Sequence, residues 1–267
     1  AGYGTFSISQ TATTANLVWT PLTAIEQWRF THFGTNANSG NAADNADPDG
    51  DGVINLAEFN GGSIPPDPLS IPVFVFNNPA GGNWSAGANW NTAVPPVSNA
   101  ALAVELFTSQ TLSGTIATPN DLAGTLTLNS LRLGGTGSGT EATNGSGSPL
   151  RFVANGENAP YIQLAAFSSN VTVNVANNLA LESDVTFKGT NSANFQFSGT
   201  ISGAGGITRT DSYSLLTLSG ANTYTGPTIL QSGTTAISTA ANFGAPGAPL
   251  PLDGGALRIN GSTLAGM

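Results

Sequence analysis

Residues 215–230, LLTLSGANTYTGPTIL, show the pattern that governs the chain from about residue 71 onward. Two short β-prone segments, LLTL and TIL, flank a turn of Gly, Asn and Thr, which is typical of neighbouring strands in an all-β protein. Leu216 and Leu218 lie on one face of the first segment, so we expect both side chains to point into a core.

The turn residues of this stretch have their own expected roles. Gly220, Gly226 and Gly233 are predicted to mark turns in which the chain needs a positive φ angle. Asn222 is predicted to stack with other turn asparagines, and Tyr224 to fill a corner of the core rather than to bind a ligand. These roles are structural, and none of them implies catalysis.

Similar β-rich segments recur every 8–15 residues through the rest of the chain, separated by Gly, Asn, Ser and Thr. They are VFVF at 73, ALAVELF at 101, TLTLNSLRL at 125, VTVNV at 171, LAL at 179, VTF at 185, FQF at 195, LLTL at 215, TIL at 228 and ALRI at 256. This spacing predicts an all-β sandwich, barrel or solenoid. Because the segments are only about three to five residues long, the pattern favours a β-solenoid, with a β-sandwich or jelly roll as the alternative.

A resemblance adds to this prediction. Residues 203–237, GAGGITRTDSYSLLTLSGANTYTGPTILQSGTTAI, resemble the autotransporter-associated β-strand repeat, and the agreement is closest over residues 216–226. Arg209, Asp211 and Pro227 stand where the repeat usually has Lys, Gly and Gly. The resemblance implies a right-handed β-helical passenger that is exported through the outer membrane.

A second resemblance precedes the repeat. Residues 83–96, NWSAGANWNTAVPP, are similar to the paired-Trp opening of such β-helices in large bacterial surface proteins. We expect Trp84 and Trp90 to cap the open end of the solenoid. The alternative is that they bind glycans by stacking.

The first 68 residues follow a different pattern. GTFSIS at 4–9 and NLVWT at 16–20 predict two strands, and residues 22–33 predict a helix with a capping box between Thr23 and Glu26 and a stop at Gly34. A proline-containing linker then closes this module. The domains are therefore predicted as 1–68 and 69–267.

The most specific chemistry lies in residues 47–58, DPDGDGVINLAE, which match the twelve-residue EF-hand calcium loop. The predicted ligands are Asp47, Asp49, Asp51, the backbone carbonyl of Val53, Asn55 and Glu58. Carboxylates at alternate positions converge only where the backbone wraps around the ion, and Gly52 at position 6 permits that turn. A helical turn near residues 56–59 is expected to carry Glu58.

The predicted cofactor is therefore Ca²⁺, in a single loop that resembles those of dockerin and thrombospondin type 3 modules. No second loop and no adjoining upstream helix follow from the sequence, so the ion is expected to act as a structural clamp rather than as a sensor. Asp44 is expected either to support the ligands or to join them.

Composition limits the partners. The formal net charge is −9, and the six basic residues are scattered, which argues against nucleic acid. Cysteine is absent, which excludes disulfides and thiolate chemistry, and no apolar run is long enough to span a bilayer. The chain begins Ala-Gly-Tyr-Gly without a signal peptide, which suggests a mature or excised piece of a longer polypeptide.

An enzyme is not predicted. Glu182 and Asp184 are the only close carboxylates outside the calcium loop, and a solvent-facing turn is the favoured interpretation of them. His32, the single histidine, is predicted to be a surface or half-buried helix residue. The sequence predicts an extracellular structural or adhesive segment of a bacterial surface or matrix protein, with head-to-tail self-association and glycans or other cell-surface components as partners. The alternative is a carbohydrate-binding or polysaccharide-degrading β-helix.

Overall fold

The computed structural model describes residues 3–68, 70–106, 115–134, 141–144, 147–164, 172–189, 194–210 and 215–261. Phe107 and Val171 at the ends of two predicted strands, the Gly-rich stretch 135–140, and Asp211 of the repeat lie outside the described residues. Contacts group the chain into two compact units, Ala1–Ile71 and Pro72–Met267. No described helix is long and apolar enough to cross a membrane.

The first unit contains one hairpin and two helices: β1 (Gly4–Gln10), β2 (Ala15–Pro21), α1 (Ala24–Phe33) and α2 (Asn55–Gly61). The predicted capping box is confirmed, because the Thr23 side chain accepts from the Glu26 amide while the Glu26 carboxylate accepts from the Thr23 amide. Gly34 ends α1 in the left-handed conformation, also as predicted.

The interior of this unit is small. The Trp28 ring on α1 contacts the rings of Phe33 and Phe59, with centroid distances of 6.0 and 5.7 Å. Ala42, Val53 and Ala57 are the buried aliphatic side chains among the described residues of the unit. The two helices therefore meet through one aromatic cluster, close to the acidic loop between them.

The second unit is built from short strands. They are β3 (Val73–Phe76), β4 (Ala103–Leu106), β5 (Ile116–Ala117), β6 (Leu126–Leu128), β7 (Ser130–Leu133), β8 (Glu141–Asn144), β9 (Leu150–Phe152), β10 (Tyr161–Leu164), β11 (Thr172–Val175), β12 (Leu179–Leu181), β13 (Val185–Gly189), β14 (Asn194–Phe197), β15 (Ile201–Gly203), β16 (Ile207–Arg209), β17 (Leu215–Leu218), β18 (Thr228–Leu230), β19 (Thr234–Ile237) and β20 (Ala256–Ile259).

These strands form three open sheets in which neighbouring strands are parallel. Sheet 1 has the order β18-β16-β13-β10-β7-β4-β3, sheet 2 the order β20-β19-β17-β14-β11-β8-β5, and sheet 3 the order β15-β12-β9-β6. From β6 to β17, strands that follow one another in sequence belong to different sheets, as β9, β10 and β11 do, whereas β3 pairs with β4 in sheet 1 and β19 pairs with β20 in sheet 2. The prediction of a mainly β protein is confirmed, and its sheets are parallel.

Matching registers place the buried side chains in columns. In sheet 1, Val104, Leu131, Ile162 and Phe187 pair in succession, and none is more than 1% exposed. Leu216 and Leu218 are equally buried in sheet 2, as predicted. Each buried Leu, Ile or Phe side chain contributes roughly 1.5–3 kcal/mol relative to an exposed one, so these columns are the main source of stability in the unit.

The turns differ from the prediction in one respect. Gly233 has a positive φ of 64°, but Gly220 and Gly226 do not, so that part of the prediction is wrong. A Cβ atom at Gly220 would lie 2.1 Å from the Gly199 carbonyl oxygen, and one at Gly226 would lie 2.3 Å from the Gly206 amide nitrogen. Glycine is needed there because neighbouring segments of backbone pack together without room for a side chain.

Asn222 and Tyr224 join these turns to their neighbours. The Asn222 Oδ1 accepts from the Ile201 amide at 2.8 Å, and its Nδ2 donates to the Asn242 carbonyl at 2.6 Å. Tyr224 is fully buried, and its hydroxyl lies 2.5 Å from Thr228 Oγ1. The predicted structural role of Tyr224 is confirmed.

Trp84 and Trp90 cover the beginning of sheet 1. Trp90 forms an antiparallel bridge with Phe76 on the outer edge of β3, and its Nε1 donates to the Trp84 carbonyl at 2.8 Å. Trp84 is 0% exposed and Trp90 3% exposed, so neither ring face is available for stacking on a glycan. That alternative is wrong for this pair. The two residues lie at the β3 edge of sheet 1, and their role as the cap of a solenoid stays a prediction.

Candidate metal centre

The acidic loop is wrapped by hydrogen bonds from its own backbone. Asp47 accepts from the amides of Gly50 and Gly52 at 2.9 and 3.0 Å, one to each carboxylate oxygen. The Asp51 amide donates to Asp49 at 3.3 Å, and the Val53 amide donates to Asp51 at 2.7 Å. Gly52 has a φ of 92°, which only glycine adopts without strain, as its position in the loop requires.

This wrapping brings three carboxylates together. Asp47, Asp49 and Asp51 each offer an oxygen within 4.8 Å of the other two. Such a cluster is electrostatically unfavourable by itself, because like charges at this separation repel one another strongly in a partly buried site. The three predicted aspartate ligands therefore converge on one place.

Asn55 and Glu58 supply two further oxygens from α2. Both side chains are buried, at 1% and 0% exposure. The Glu58 Oε1 accepts from the Ser63 hydroxyl at 3.1 Å, whereas Glu58 Oε2, Asn55 Oδ1 and Asp49 Oδ2 have no hydrogen-bond partner among the described residues. Buried oxygens of this kind normally have a partner, so a cation fits this donor set.

Burial and mutual repulsion change the acidity of these groups. Burial, with added repulsion from the three aspartates, raises the pKa of Glu58 to about 7, although the Ser63 hydrogen bond opposes the shift. Burial also raises the pKa of Asp51 to about 6, with smaller contributions from Asp49 and Asp47. The pKa of Asp49 is raised for the same first reason. In the absence of a cation, the folded loop holds protons that isolated carboxylates would release.

Val53, the remaining predicted ligand, is 2% exposed. Its predicted contribution is the backbone carbonyl. The backbone amide of Val53 donates a hydrogen bond to the Asp51 carboxylate. The predicted helical turn near residues 56–59 is present as α2, which begins at Asn55 and carries Glu58 on its first turn.

Asp44 has a different setting from the loop acids. Its carboxylate accepts from Arg29 on α1 through one oxygen and from Asn38 at 2.9 Å through the other. The Arg29 side chain is 6% exposed and that of Asp44 is 35% exposed. Asp44 therefore links the acidic segment to α1, and this ion pair is a feature that the sequence pattern alone did not predict.

The segment before the loop also supports it from the side. The amides of Asn55 and Leu56 donate to the carbonyls of Ala46 and Asp44 at 2.9 and 3.0 Å. The Asn55 Nδ2 donates to the carbonyls of Asn41 and Ala43 at 2.7 and 2.8 Å, which orients the amide oxygen away from them. The acidic loop is therefore supported by hydrogen bonds from the segment that precedes it.

The acids and the histidine considered for catalysis each contact other side chains or backbone groups. Glu182 pairs with Arg151 at 3.0 Å, and Asp184 accepts from the Gly206 amide at 2.7 Å. Both acids lie between β12 and β13 rather than within a strand. The His32 ring is half-buried against Trp28, and burial lowers the pKa of the histidine.

One surface pocket of about 370 Å³ lies near residues 240–250. Its lining consists of small and apolar residues with Asn222 and contains no titratable side chain. Asn222 is already engaged with two backbone groups of neighbouring segments. The pocket therefore offers no acid or base for hydrolysis of a glycosidic bond.

The chain matches no protein-family model, no curated protein and no solved structure. The resemblances to the autotransporter-associated repeat and to dockerin-type loops therefore stay predictions.

Proposed function

We propose that the loop at residues 47–58 binds one calcium ion and that this ion stabilises the first unit. The observation that carries the proposal is the set of inward-facing oxygens: three clustered aspartates together with buried, unpartnered oxygens on Asn55 and Glu58. Calcium prefers six to eight hard oxygen ligands at about 2.3–2.6 Å, and this loop offers carboxylates, an amide oxygen and a carbonyl in the order that an EF-hand loop uses.

The ion would act as a clamp. It neutralises Asp51 and Glu58, whose pKa values are raised by burial first and by mutual repulsion second, and it joins the loop to the first turn of α2. A sensor needs two helices with two alternative packings. Here Trp28 packs against Phe59, and Arg29 pairs with Asp44, so α1 is fastened on both sides of the loop.

For the second unit we propose a β-solenoid, right-handed as in the family that its repeat resembles. The succession of strands through three parallel sheets supports this proposal, because a chain that coils adds one strand to each sheet per turn. The buried columns and the close glycine contacts are further support, since both recur between neighbouring strands and turns.

Together these features favour a structural role: an extracellular segment of a bacterial surface or matrix protein whose folded form depends on external calcium. Such sites function with dissociation constants on the order of 10⁻⁴–10⁻³ M. Most of the buried side chains of the second unit are apolar, and its two closest acids, Glu182 and Asp184, are bonded to Arg151 and to the Gly206 amide, which favours a scaffold over an enzyme.

Calorimetric titration of the chelator-treated chain with CaCl₂ tests the proposal. We expect one site, with the affinity of an extracellular module, and loss of binding in Asp49→Ala but not in Glu157→Ala, which removes an exposed acid elsewhere. An unchanged melting temperature on chelation would refute the clamp, and submicromolar affinity would refute the extracellular assignment.

The structural role is tested separately. A reducing-sugar assay on a panel of polysaccharides, run with and without calcium, should show no turnover. Clear turnover that depends on any acid of the second unit would replace the structural role with the enzymatic alternative.

A further inference from the structure

The outer face of sheet 1 carries a row of charged and amide side chains. Side chains alternate along a strand, so the residue that follows each member of the buried column points to the opposite face of the sheet. These outward residues pair in succession across four neighbouring strands, Glu105 with Arg132, Arg132 with Gln163, and Gln163 with Lys188. We call Glu105, Arg132, Gln163 and Lys188 the outer row.

Lys188 is held in the row by an aromatic ring. Its Nζ lies 3.5 Å from the centroid of the Tyr161 ring on the neighbouring strand β10, which is a cation–π contact. The ring attracts the charge without accepting all three N–H donors of the ammonium group. Lys188 is therefore positioned by Tyr161 and keeps donors for an anion.

Arg132 also keeps hydrogen-bonding capacity. Its Nη1 donates to the Glu105 carboxylate at 3.2 Å, and its side chain is 41% exposed. The Arg132 Nε has no hydrogen-bond partner among the described residues. Because a guanidinium has five N–H donors in a planar fork, one contact with Glu105 leaves Arg132 able to bind a second carboxylate.

The outer positions of the other two sheets have a different character. In sheet 2, the central positions Asn174, Gln196 and Thr217 pair in succession and are neutral. In sheet 3, the base in the corresponding row is Arg151, which already pairs with Glu182. Within the part of the chain that the structure describes, sheet 1 is therefore the sheet that places two bases in one outer row.

The spacing of these bases limits the kind of anion that fits. Arg132 and Lys188 are separated by the strand that carries Gln163, so their backbone positions lie roughly 10 Å apart. A single nucleic acid strand carries a phosphate about every 3.4 Å and would bring several charges to two bases and one acid. A polymer with widely spaced charges matches the row better. Gln163 lies between the bases, and its amide both donates to and accepts from hydroxyl groups.

We propose that the outer row binds an acidic polysaccharide in which charged and neutral sugars alternate, and that the polymer runs across the strands. Arg132 and Lys188 would each bind a carboxylate, and Gln163 would bind hydroxyl groups of the sugar between them. The chain carries −9 overall and repels such a polymer elsewhere, so this row is where charge favours contact. The inference names a partner for the extracellular structural role proposed above and rests on that role.

Glu105 tunes the strength of this contact. Its side chain is 20% exposed, and its carboxylate occupies one donor of Arg132. It therefore competes with the carboxylates of the polysaccharide and repels them. Because the row is partly exposed, we expect binding that weakens strongly with added salt.

Calorimetric titration of the full chain with hyaluronate, in which a uronic acid alternates with a neutral sugar, tests the proposal. We expect Arg132→Gln and Lys188→Gln each to weaken binding by about three-fold to five-fold, as for loss of one exposed charge pair. Arg151→Gln removes an exposed base from the outer face of sheet 3 and is the matched control, which should bind like the parent chain. Equal weakening in all three variants would overturn the assignment to this row.

Glu105→Gln should have the opposite effect. It removes the competing charge next to Arg132, so we expect hyaluronate to bind more tightly by about three-fold. A substitution that only disturbed the fold would not strengthen binding, so this variant separates a binding surface from a structural network. Weaker or unchanged binding in Glu105→Gln would contradict the proposed role of Arg132.

Two other polymers test the class of ligand. Dextran, which is neutral, should not bind, and polythymidylate should bind more weakly than hyaluronate because its charges are too dense for the row. Binding of either polymer as tightly as hyaluronate would overturn the proposal. Asp49→Ala should leave hyaluronate binding unchanged, and its loss there would mean that the acidic loop binds the polymer through calcium instead.

Failure of this inference can be told apart from failure of the proposed function. No hyaluronate binding, together with normal calcium binding and no turnover, would reject the outer row alone. Turnover of a polysaccharide would reject the structural role itself, and with it the role of the row as a simple attachment surface.

Discussion

The two units of the chain differ in the side chains that they bury. Pro72–Met267 buries columns of Leu, Ile, Val and Phe whose packing requires nothing from the solvent. Ala1–Ile71 has few buried apolar side chains and encloses carboxylates that repel one another. One unit is therefore stabilised by its buried apolar side chains, whereas the stability of the other depends, on our proposal, on a bound cation.

A cavity in the core of the second unit should have the largest effect on stability. Phe187→Ala removes a fully buried ring that contacts Phe197 at a centroid distance of 5.1 Å. We expect the free energy of unfolding to fall by about 3–5 kcal/mol, since the lost burial and the cavity both contribute. Urea unfolding, followed by hydrogen exchange in peptides from each unit, measures the change.

Thr186→Ala is the matched control, because Thr186 is the neighbour on β13 whose side chain points outward. It should shift the unfolding free energy by no more than about 0.5 kcal/mol. Equal effects of both substitutions would mean that the columns are not the main source of stability.

A second experiment measures how much calcium stabilises the first unit. At a calcium concentration 100 times the dissociation constant, the ion should stabilise the first unit by about 2.7 kcal/mol. Glu58→Gln should remove most of this gain, because a neutral amide cannot close the shell with two charged oxygens. In chelator above pH 7, the same variant should be more stable than the parent, since it removes a buried charge.

Glu58→Gln should thus destabilise the first unit in calcium and stabilise it in chelator, and this change of sign distinguishes a ligand from a packing residue. An ordinary core substitution destabilises the chain with and without calcium, as Phe187→Ala should. If Glu58→Gln lowered the unfolding free energy equally in chelator and in calcium, Glu58 would be a packing residue rather than a ligand.

Proton binding gives a third comparison. The pKa of Glu58 is about 7 when folded against an ordinary 4.5, and that of Asp51 is about 6 against 3.8. At a pH between the ordinary and the raised pKa values, the folded loop binds more protons than the unfolded chain. The free energy of unfolding without calcium therefore falls as pH rises from about 4 to 7. Unfolding midpoints of the first unit in chelator should show this decline. Saturating calcium should remove it, because the ion takes the place of the protons.

Much of this organisation could be predicted from the sequence. Period-2 alternation predicted strands such as β3, β14 and β17, and the spacing of acids and Gly52 predicted the loop, because both patterns are local. β10 (Tyr161–Leu164) was not predicted. It is a single YIQL segment that becomes a strand because its register with β7 and β13 buries Ile162 and Leu164.

The contacts that could not be predicted join residues distant in sequence. Arg29 meets Asp44 across 15 positions, as no local pattern indicates. The need for Gly220 also lies outside any local pattern, since it is imposed by the Gly199 carbonyl of the neighbouring segment.

A fourth experiment concerns that ion pair in the first unit. Asp44→Asn keeps the shape but removes the charge that faces Arg29, whose side chain is 6% exposed. We expect a loss of about 1.5 kcal/mol, the value of a hydrogen bond to a charged group, because the guanidinium stays in place with a weaker acceptor. The calcium dissociation constant should change much less than in Asp49→Ala, as titration calorimetry can establish.

The last experiment concerns a second ion pair between an arginine and a carboxylate, in which both side chains are exposed. Arg151 and Glu182 in the second unit form a pair at 3.0 Å, but their side chains are 47% and 46% exposed. Water competes for both groups, so Glu182→Ala should change the unfolding free energy by no more than about 0.5 kcal/mol. An effect as large as that of Asp44→Asn would show that burial does not distinguish the two pairs. It would also return Glu182 to consideration as a functional acid, because a surface carboxylate with no role in a network should be dispensable. A smaller loss of unfolding free energy in Glu182→Ala than in Asp44→Asn would therefore agree with the proposal that the second unit is a scaffold.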